Sequence, residues 1–245
     1  MLRSAKQLYG DNLTALDGEL GTVKDFYFCD QLWAVRYVVV ETGKWLSGRQ
    51  VLLSPHAFGC QYPDGKNLPV RLTRKQIEGS PTLEWHKPVS RQFEAEYHRH
   101  YGWPAYWLSE VLSQTNRFPL MVPPVETGLN GLVPAIAPDP EDADAHLHSM
   151  QAVRGYHLNA SDGIIGHVAD FMMDDATWTV RQLVVKTGHR ITGREVQVPT
   201  GKVDRISYTE SAVFVNMLGE AVEQCPAYQS ASPVPLSEVD QTVST

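Results

Sequence analysis

Asp17-Gly18-Glu19-Leu20-Gly21-Thr22-Val23-Lys24-Asp25-Phe26 and Asp162-Gly163-Ile164-Ile165-Gly166-His167-Val168-Ala169-Asp170-Phe171 share one pattern, D-G-x-x-G-x-V-x-D-F, set 145 residues apart. Asp-Gly reaches positive φ at little cost, which a tight hairpin turn requires. The next glycine, Gly21 or Gly166, falls inside the following strand, where a missing side chain marks a bulge or sharp bend. Each stretch therefore predicts a hairpin whose second strand runs from Val23 to Phe28, or over the matching residues of the second stretch.

The correspondence continues in both directions without a gap. Trp33, Val35, Arg36, Val39, Val40, Thr42, Gly43, Gly48, Arg49 and Val51 recur as Trp178, Val180, Arg181, Val184, Val185, Thr187, Gly188, Gly193, Arg194 and Val196. Leu2 and Ser4 recur as Leu147 and Ser149, and Val70, Glu78 and Pro81 as Val215, Glu223 and Pro226. In all, 25 of the 80 positions 2–81 are identical at this offset. Internal duplication accounts for a match of this length, and two copies of so long a repeat suggest paired small domains rather than a solenoid.

Within each copy, Trp33 to Glu41 and Trp178 to Lys186 are rich in Val, Tyr, Trp and Leu, as strands are. Further strands are expected over Gly48 to Leu53 and Gly193 to Val198, then near Leu68 to Leu72 and Val213 to Met217. Thr73 followed by Gln76 carries the spacing of a helical capping box. Short strands, frequent turns and glycines at bends together predict a small closed β-barrel, which also leaves no exposed strand edge.

The pattern D-G-x-x-G-x-V-x-D-F, then D-x-x-W-x-V-R-x-x-V-V-x-T-G, then G-R-x-V, resembles the PRC-barrel domain. That family is named for the H subunit of the photosynthetic reaction centre and includes the C-terminal part of the ribosome maturation factor RimM. The segment Tyr101-Gly102-Trp103-Pro104-Ala105-Tyr106-Trp107 resembles a stretch between the barrels of bacterial tandem PRC-barrel proteins. The resemblance implies a mainly β protein of two PRC-type barrels, 1–81 and 146–226. A partly helical, Pro-rich connector (82–145) would join them, and a disordered tail (227–245) would follow. It also implies a non-enzymatic module that assembles with partners, and it supplies no catalytic residues. The chain shows neither the membrane anchor of an H subunit nor the N-terminal domain of RimM, so neither specific role is expected of it.

Composition narrows the classes. The chain has 245 residues, 42% hydrophobic and 20% charged, which excludes wholesale disorder and collagen-like structure. The net charge of -7 argues against a dedicated nucleic-acid binder. The connector holds nine acidic and four basic side chains, so most of that excess lies there and the two repeats are nearly neutral. Cys29, Cys60 and Cys225 are odd in number and widely spaced, which predicts reduced thiols in a cytoplasmic protein. No signal peptide and no apolar run of membrane-spanning length is found.

Candidate chemistry can be weighed by the repeat itself. A residue kept in both copies serves the shared fold, whereas a unique function belongs where the copies differ. Asp25/Asp170, Arg36/Arg181 and Arg49/Arg194 are repeated charges. Their types suit acid–base work or anion binding, but the expectation is hydrogen-bond anchoring at a barrel rim. With Asp17, Gly18, Gly21 and Trp33, and Asp162, Gly163, Gly166 and Trp178, they define the fold.

His98 and His100, and His146 and His148, are spaced i, i+2. That spacing suits metal ligation on a strand, yet Ser90 to Tyr101 reads as a helix, with Phe93, Tyr97 and Tyr101 on one face. Helical ligand pairs prefer i, i+4, and no carboxylate or cysteine completes a set. Tyr97, Tyr101, Trp103, Tyr106 and Trp107 form the candidate partner surface, since Tyr and Trp dominate interaction hot spots. Packing within the protein is the competing reading of the same rings. No phosphate-binding glycine loop, nucleophile elbow or zincin motif occurs.

The expected function is therefore a non-catalytic assembly module that docks on a larger complex, such as a membrane electron-transfer complex. It would use no cofactor and could self-associate. The alternatives are an RNA- or ribosome-associated accessory factor, and a metal-binding protein using the connector histidines.

Overall fold

The computed structural model describes residues 1–58, 67–81, 91–103, 147–188 and 193–229. Asp17-Gly18 turns the chain from β2 (Asn12–Ala15) into β3 (Gly18–Cys29), and Asp162-Gly163 turns it from β8 (His157–Ala160) into β9 (Gly163–Asp174). Gly21 then lets two strands approach more closely than any side chain allows. A Cβ there would lie 2.0 Å from the Glu41 carbonyl oxygen, and one on Gly166 would lie 2.1 Å from that of Lys186. The strand register slips at the same place, between Leu13 and Thr14 in one half and between Leu158 and Asn159 in the other.

The remaining elements follow the same spacing. β4 (Ala34–Thr42) is answered by β10 (Thr179–Thr187), and β5 (Gln50–Leu53) by β11 (Glu195–Pro199). β6 (Asn67–Pro69) is answered by β13 (Ala212–Val215), and the helix α2 (Arg74–Glu78) by α5 (Gly219–Glu223). β12 (Val203–Ser207) begins with the pair Val203–Val215, and the bridge Phe58–Val70 occupies the matching place in the first half. The capping box is formed: Gln76 N–H donates to the Thr73 hydroxyl, and Thr73 N–H donates to the Gln76 side chain at 2.9 Å.

Among the described residues, all thirteen strands belong to one hydrogen-bonded sheet, nine of them following one another in the order β12-β13-β8-β9-β10-β4-β3-β2-β6. The halves meet at its centre, where Thr179 faces Ala34. Val35 N–H donates to the Trp178 carbonyl and Val180 N–H to the Trp33 carbonyl, each at 2.7 Å. To turn these carbonyls toward the other half, Trp33 and Trp178 adopt φ of 53° and 56°, an uncommon conformation for bulky residues.

The two shortest strands cross over. β1 (Leu2–Ser4) does not join its own half; it pairs antiparallel with β9, Leu2 opposite Asp174 and Ser4 opposite Met172. β7 (Leu147–Ser149) does the reverse and pairs with β3, Cys29 opposite Leu147 and Tyr27 opposite Ser149. Each is followed by one helical turn, α1 (Ala5–Leu8) and α4 (Met150–Val153), which buries Ala5 and Leu8, or Met150 and Val153.

The chain divides into two compact units, Met1–Trp85 with His146–Thr245, and His86–Ala145. The stretches 1–81 and 146–226 thus lie in one unit, because each supplies a strand to the other. Its core is apolar on both sides of the central join. Phe28 packs 5.4 Å from Phe171 and 5.5 Å from Trp33, and Trp178 stacks on Phe58 at 5.0 Å. Burying each of the phenylalanines Phe28, Phe58 and Phe171 contributes about 2 kcal/mol. Val35, Tyr37, Val38, Val39 and Val40 are all buried, so both faces of β4 are covered by the chain itself. Of the second unit, the helix α3 (Arg91–Tyr101) and the two residues after it are described. The tail expected to be disordered from 227 starts in ordered structure, since Ala227 bridges Val196 and Tyr228 N–H donates to the Glu195 carbonyl at 2.8 Å; its remainder from 230 onward and the expected Pro-rich stretch after Trp103 lie outside the described residues.

Strand exchange makes each half dependent on the other. Residues 1–110 and 120–245, produced together as separate chains, are expected to copurify as a one-to-one complex. Each produced alone is expected to aggregate or to pair with itself. A folded monomer of either fragment, seen by light scattering and circular dichroism, contradicts the dependence.

Candidate functional site

The repeated carboxylates lie under the exchanged strands. Asp170 accepts the Ser4 hydroxyl and the Lys6 N–H (3.2 Å) from the first half, and Phe171 N–H (2.9 Å) from its own strand. Asp25 accepts the Ser149 hydroxyl and the Gln151 N–H (3.1 Å) from the second half, and Phe26 N–H (2.7 Å) from its own. The two sets are the same interaction made twice in opposite directions. Asp170 is buried, so the expected rim anchor lies deeper than a rim. Ser4 and Ser149 belong to the repeat, yet nothing in their local sequence marks them as partners of a carboxylate more than 120 residues away.

Tyr9 and Arg154 occupy matching positions and come together between these carboxylates. Burial pushes the Tyr9 phenol above its ordinary value, as do the nearby Asp25 and Asp170 charges, against the effect of the Arg154 guanidinium. Burial also raises the Asp25 carboxyl, more than the Ser149 hydroxyl, the Phe26 and Gln151 amides and Arg154 lower it.

The other repeated residues hold local structure. The Asp17 carboxylate accepts the first amide of α2, Arg74 N–H, at 2.8 Å, and Asp162 accepts that of α5, Gly219 N–H, at 2.8 Å. Arg49 donates to the Ser80 carbonyl at 2.9 Å and to that of Glu78, at the C-terminal end of α2. The shared role of Arg49 and Arg194 is instead in the backbone. Each carbonyl accepts a threonine N–H, Thr42 or Thr187, at 2.9 Å, while the Arg194 side chain is exposed. Arg36 is half-buried and Arg181 exposed, so this pair has no common environment.

In the second unit, Tyr97 is buried, which corrects its expected place on a partner surface. Its ring meets that of Tyr101 edge-on at 5.0 Å, and Tyr101 stacks on Trp103 at 4.4 Å. Tyr101 and Trp103 are half-buried. Tyr106 and Trp107 lie outside the described residues. His98 is buried on α3 and His100 exposed, as helical geometry separates i and i+2. His148 Nε2 lies 3.1 Å from the Asp30 carboxylate, and His146 lies outside the described residues. Among the described residues no three His, Cys, Asp or Glu side chains gather as metal ligands do. No described helix is long and apolar enough to cross a membrane.

A cleft of about 810 Å³ opens where the first N-terminal segment crosses β9 and β10. Lys6, Arg154, His167 and Lys186 line it, with Asp170 and Glu195. Val184 and Tyr228 form part of its wall. At the positions matching Arg154, His167 and Lys186 the first half has Tyr9, Thr22 and Glu41, and the position matching Lys6 is Gln151. Identities in the repeat draw attention away from these residues. Charge differences between matched positions were the signal that could have found them.

The reciprocal clasp makes two quantitative demands. In a double-mutant cycle, Ser4→Ala and Asp170→Ala are expected to show a coupling of about 1–3 kcal/mol, read by urea denaturation. No coupling removes the clasp. For Asp25, the raised folded-state value means that the folded chain favours the protonated carboxyl. Its stability contribution is full below the ordinary carboxylate range and declines as pH rises through the raised value. The stability of Asp25→Asn relative to the parent protein is therefore expected to improve as pH rises through that interval. A difference independent of pH contradicts the assignment.

No family model matches this sequence, and a search of curated proteins finds no match to it.

Proposed function

We propose that the chain is a tandem PRC-barrel protein, two copies of one barrel unit, that serves without catalysis as a docking module for a larger protein complex in the cytoplasm. The recurrence of every paired element at one offset supports the duplication. The uses found for Asp17, Asp25, Asp162 and Asp170 support a non-catalytic role, since their carboxylates are spent on backbone amides and hydroxyls. The buried thiols of Cys29 and Cys225 are both free, which suits a reducing compartment.

One asymmetry carries the docking reading. In the first half, Trp45 and Arg74 close over Leu20. The Trp45 indole N–H donates to the Leu20 carbonyl at 2.7 Å, and the Arg74 guanidinium lies 5.4 Å from the Trp45 ring while its Nε–H bonds the Glu19 carbonyl. In the second half, glycine stands at 219 in place of Arg74, and Ile165, which matches Leu20, is only half-buried. Beside it, Ile164 and Leu218 are 68% and 59% exposed where the first half has Glu19 and Thr73. The counterpart of Trp45, Arg190, lies outside the described residues; among the described ones, Ile164 and Leu218 form an exposed apolar patch that the first half lacks, and such a patch is a place for a partner.

Ile164→Glu combined with Leu218→Glu tests this. Both side chains are exposed, so the variant is expected to keep its melting temperature within a few degrees. Crosslinked complexes purified from the native host are expected to contain a protein with the parent chain that the variant fails to retain. Identical recoveries from parent and variant, or none above an untagged control, overturn the reading.

A further inference from the structure

We infer that the patch of Ile164 and Leu218 has an occupant within this chain, the segment Val234-Pro235-Leu236, which a partner displaces on docking. It rests on the docking reading of that patch and supplies what holds the patch when no partner is bound.

The described chain ends on a heading for the patch. Leu218 stands at the start of α5, and its neighbour Gly219 lies against the β9 hairpin, where a Cβ would meet the Ile165 side chain at 3.2 Å. From there α5 buries Val222 and leads to the outer edge of β11, where Gln197 N–H donates to the Pro226 carbonyl. Ala227 then bridges Val196, and Tyr228 N–H donates to the Glu195 carbonyl, so the residues after Pro226 run antiparallel to β11, toward its start. The Tyr228 side chain packs on the cluster of Leu2, Met172 and Val184, which fixes this direction. The start of β11 lies at the same end of the sheet as the patch. There the Arg194 carbonyl accepts Thr187 N–H at 2.9 Å, and the next residue, Gly188, donates to the Ile165 carbonyl at 3.1 Å.

The sequence beyond this point suits the place. The strand formed by Ala227, then β11, β10 and β9, are successive neighbours, so at about 4.8 Å per spacing the tail starts about 14 Å from the line of β9. Val234 follows Gln229 by five residues, a reach of about 16 Å when extended. Pro233 and Pro235 lack the N–H that would continue the pairing along β11, so the chain leaves that edge and docks by side chains instead. The residue before each proline is confined to extended geometry, which sets Val234 and Leu236 on one side of the segment. They are the first branched apolar side chains after Tyr228. So short a tether gives an effective concentration in the millimolar range, and two small apolar contacts then suffice for occupancy. A second copy of the chain has no such advantage. The first half, with Glu19 and Thr73 at the matching positions, offers no apolar place of this kind.

The test is photocrosslinking of the full chain in dilute solution, with Leu218→p-benzoylphenylalanine, which keeps the patch apolar, followed by mass spectrometry of the crosslinked peptides. The expected product is an intramolecular link to residues 231–239. It should fall at least about fivefold when Val234→Ser and Leu236→Ser are added together, and stay unchanged with Val243→Ser. Absence of a tail link overturns the inference, as does a link that the double-serine variant keeps in full. Links that double the mass of the product assign the patch to a second copy and overturn it too. This readout needs no partner, so a failure to recover one from the host counts against the docking reading and leaves the tail contact standing. Where a partner is recovered, the double-serine variant is expected to retain several times more of it than the parent, because a competitor has been removed. Equal retention overturns the displacement.

Discussion

A carboxylate removed from water needs donors, and neither half of this protein supplies enough of them to its own. Asp25 and Asp170 each find one amide on their own strand; the serine hydroxyl and second amide come from the opposite N-terminal segment. Leaving such a group unsatisfied costs more than an ordinary hydrogen bond contributes, so the exchange of β1 and β7 is enforced by polar accounting as well as by apolar burial. The central join, the conformations of Trp33 and Trp178, and the aromatic packing of Phe28 on Phe171 all presuppose that exchange.

A repeated unit joined in this way confronts itself across a pseudo-twofold relation. Matching positions are brought together at the seam, and there sequence divergence has the greatest effect. Tyr9 meets Arg154 beside two carboxylates, where two identical residues would have placed like groups side by side. Away from the seam, divergence changes what each half offers to solvent. Trp45 and Arg74 cover one end, while Ile164 and Leu218 are exposed at the other. Function is sought at these differences because the identities are already occupied by structure.

Much of this architecture was legible from residues alone. Asp17-Gly18 and Asp162-Gly163 announce hairpins, and Gly21 and Gly166 announce bends, because only glycine tolerates a carbonyl oxygen at that approach. Thr73 and Gln76 announce a cap through their own local geometry. The separation of His98 from His100 followed from helical spacing. The burial of Tyr97 did not, since a ring on an amphipathic helix reads equally as packing or as surface until its neighbours are known.

The sequence by itself determined the repeat, and with it the hairpins, the glycine bends and the Thr73–Gln76 cap, because these last three each depend on residues close together in the chain. Only the tertiary structure decided where three-residue strands such as Leu2–Ser4 would pair. So short a segment carries no periodicity that names its partner, and its place is set by which buried carboxylate remains unsatisfied. The same holds for the cleft. Lys6 lies far along the chain from Arg154 and Lys186, and strand exchange brings the three to the lining of one cleft.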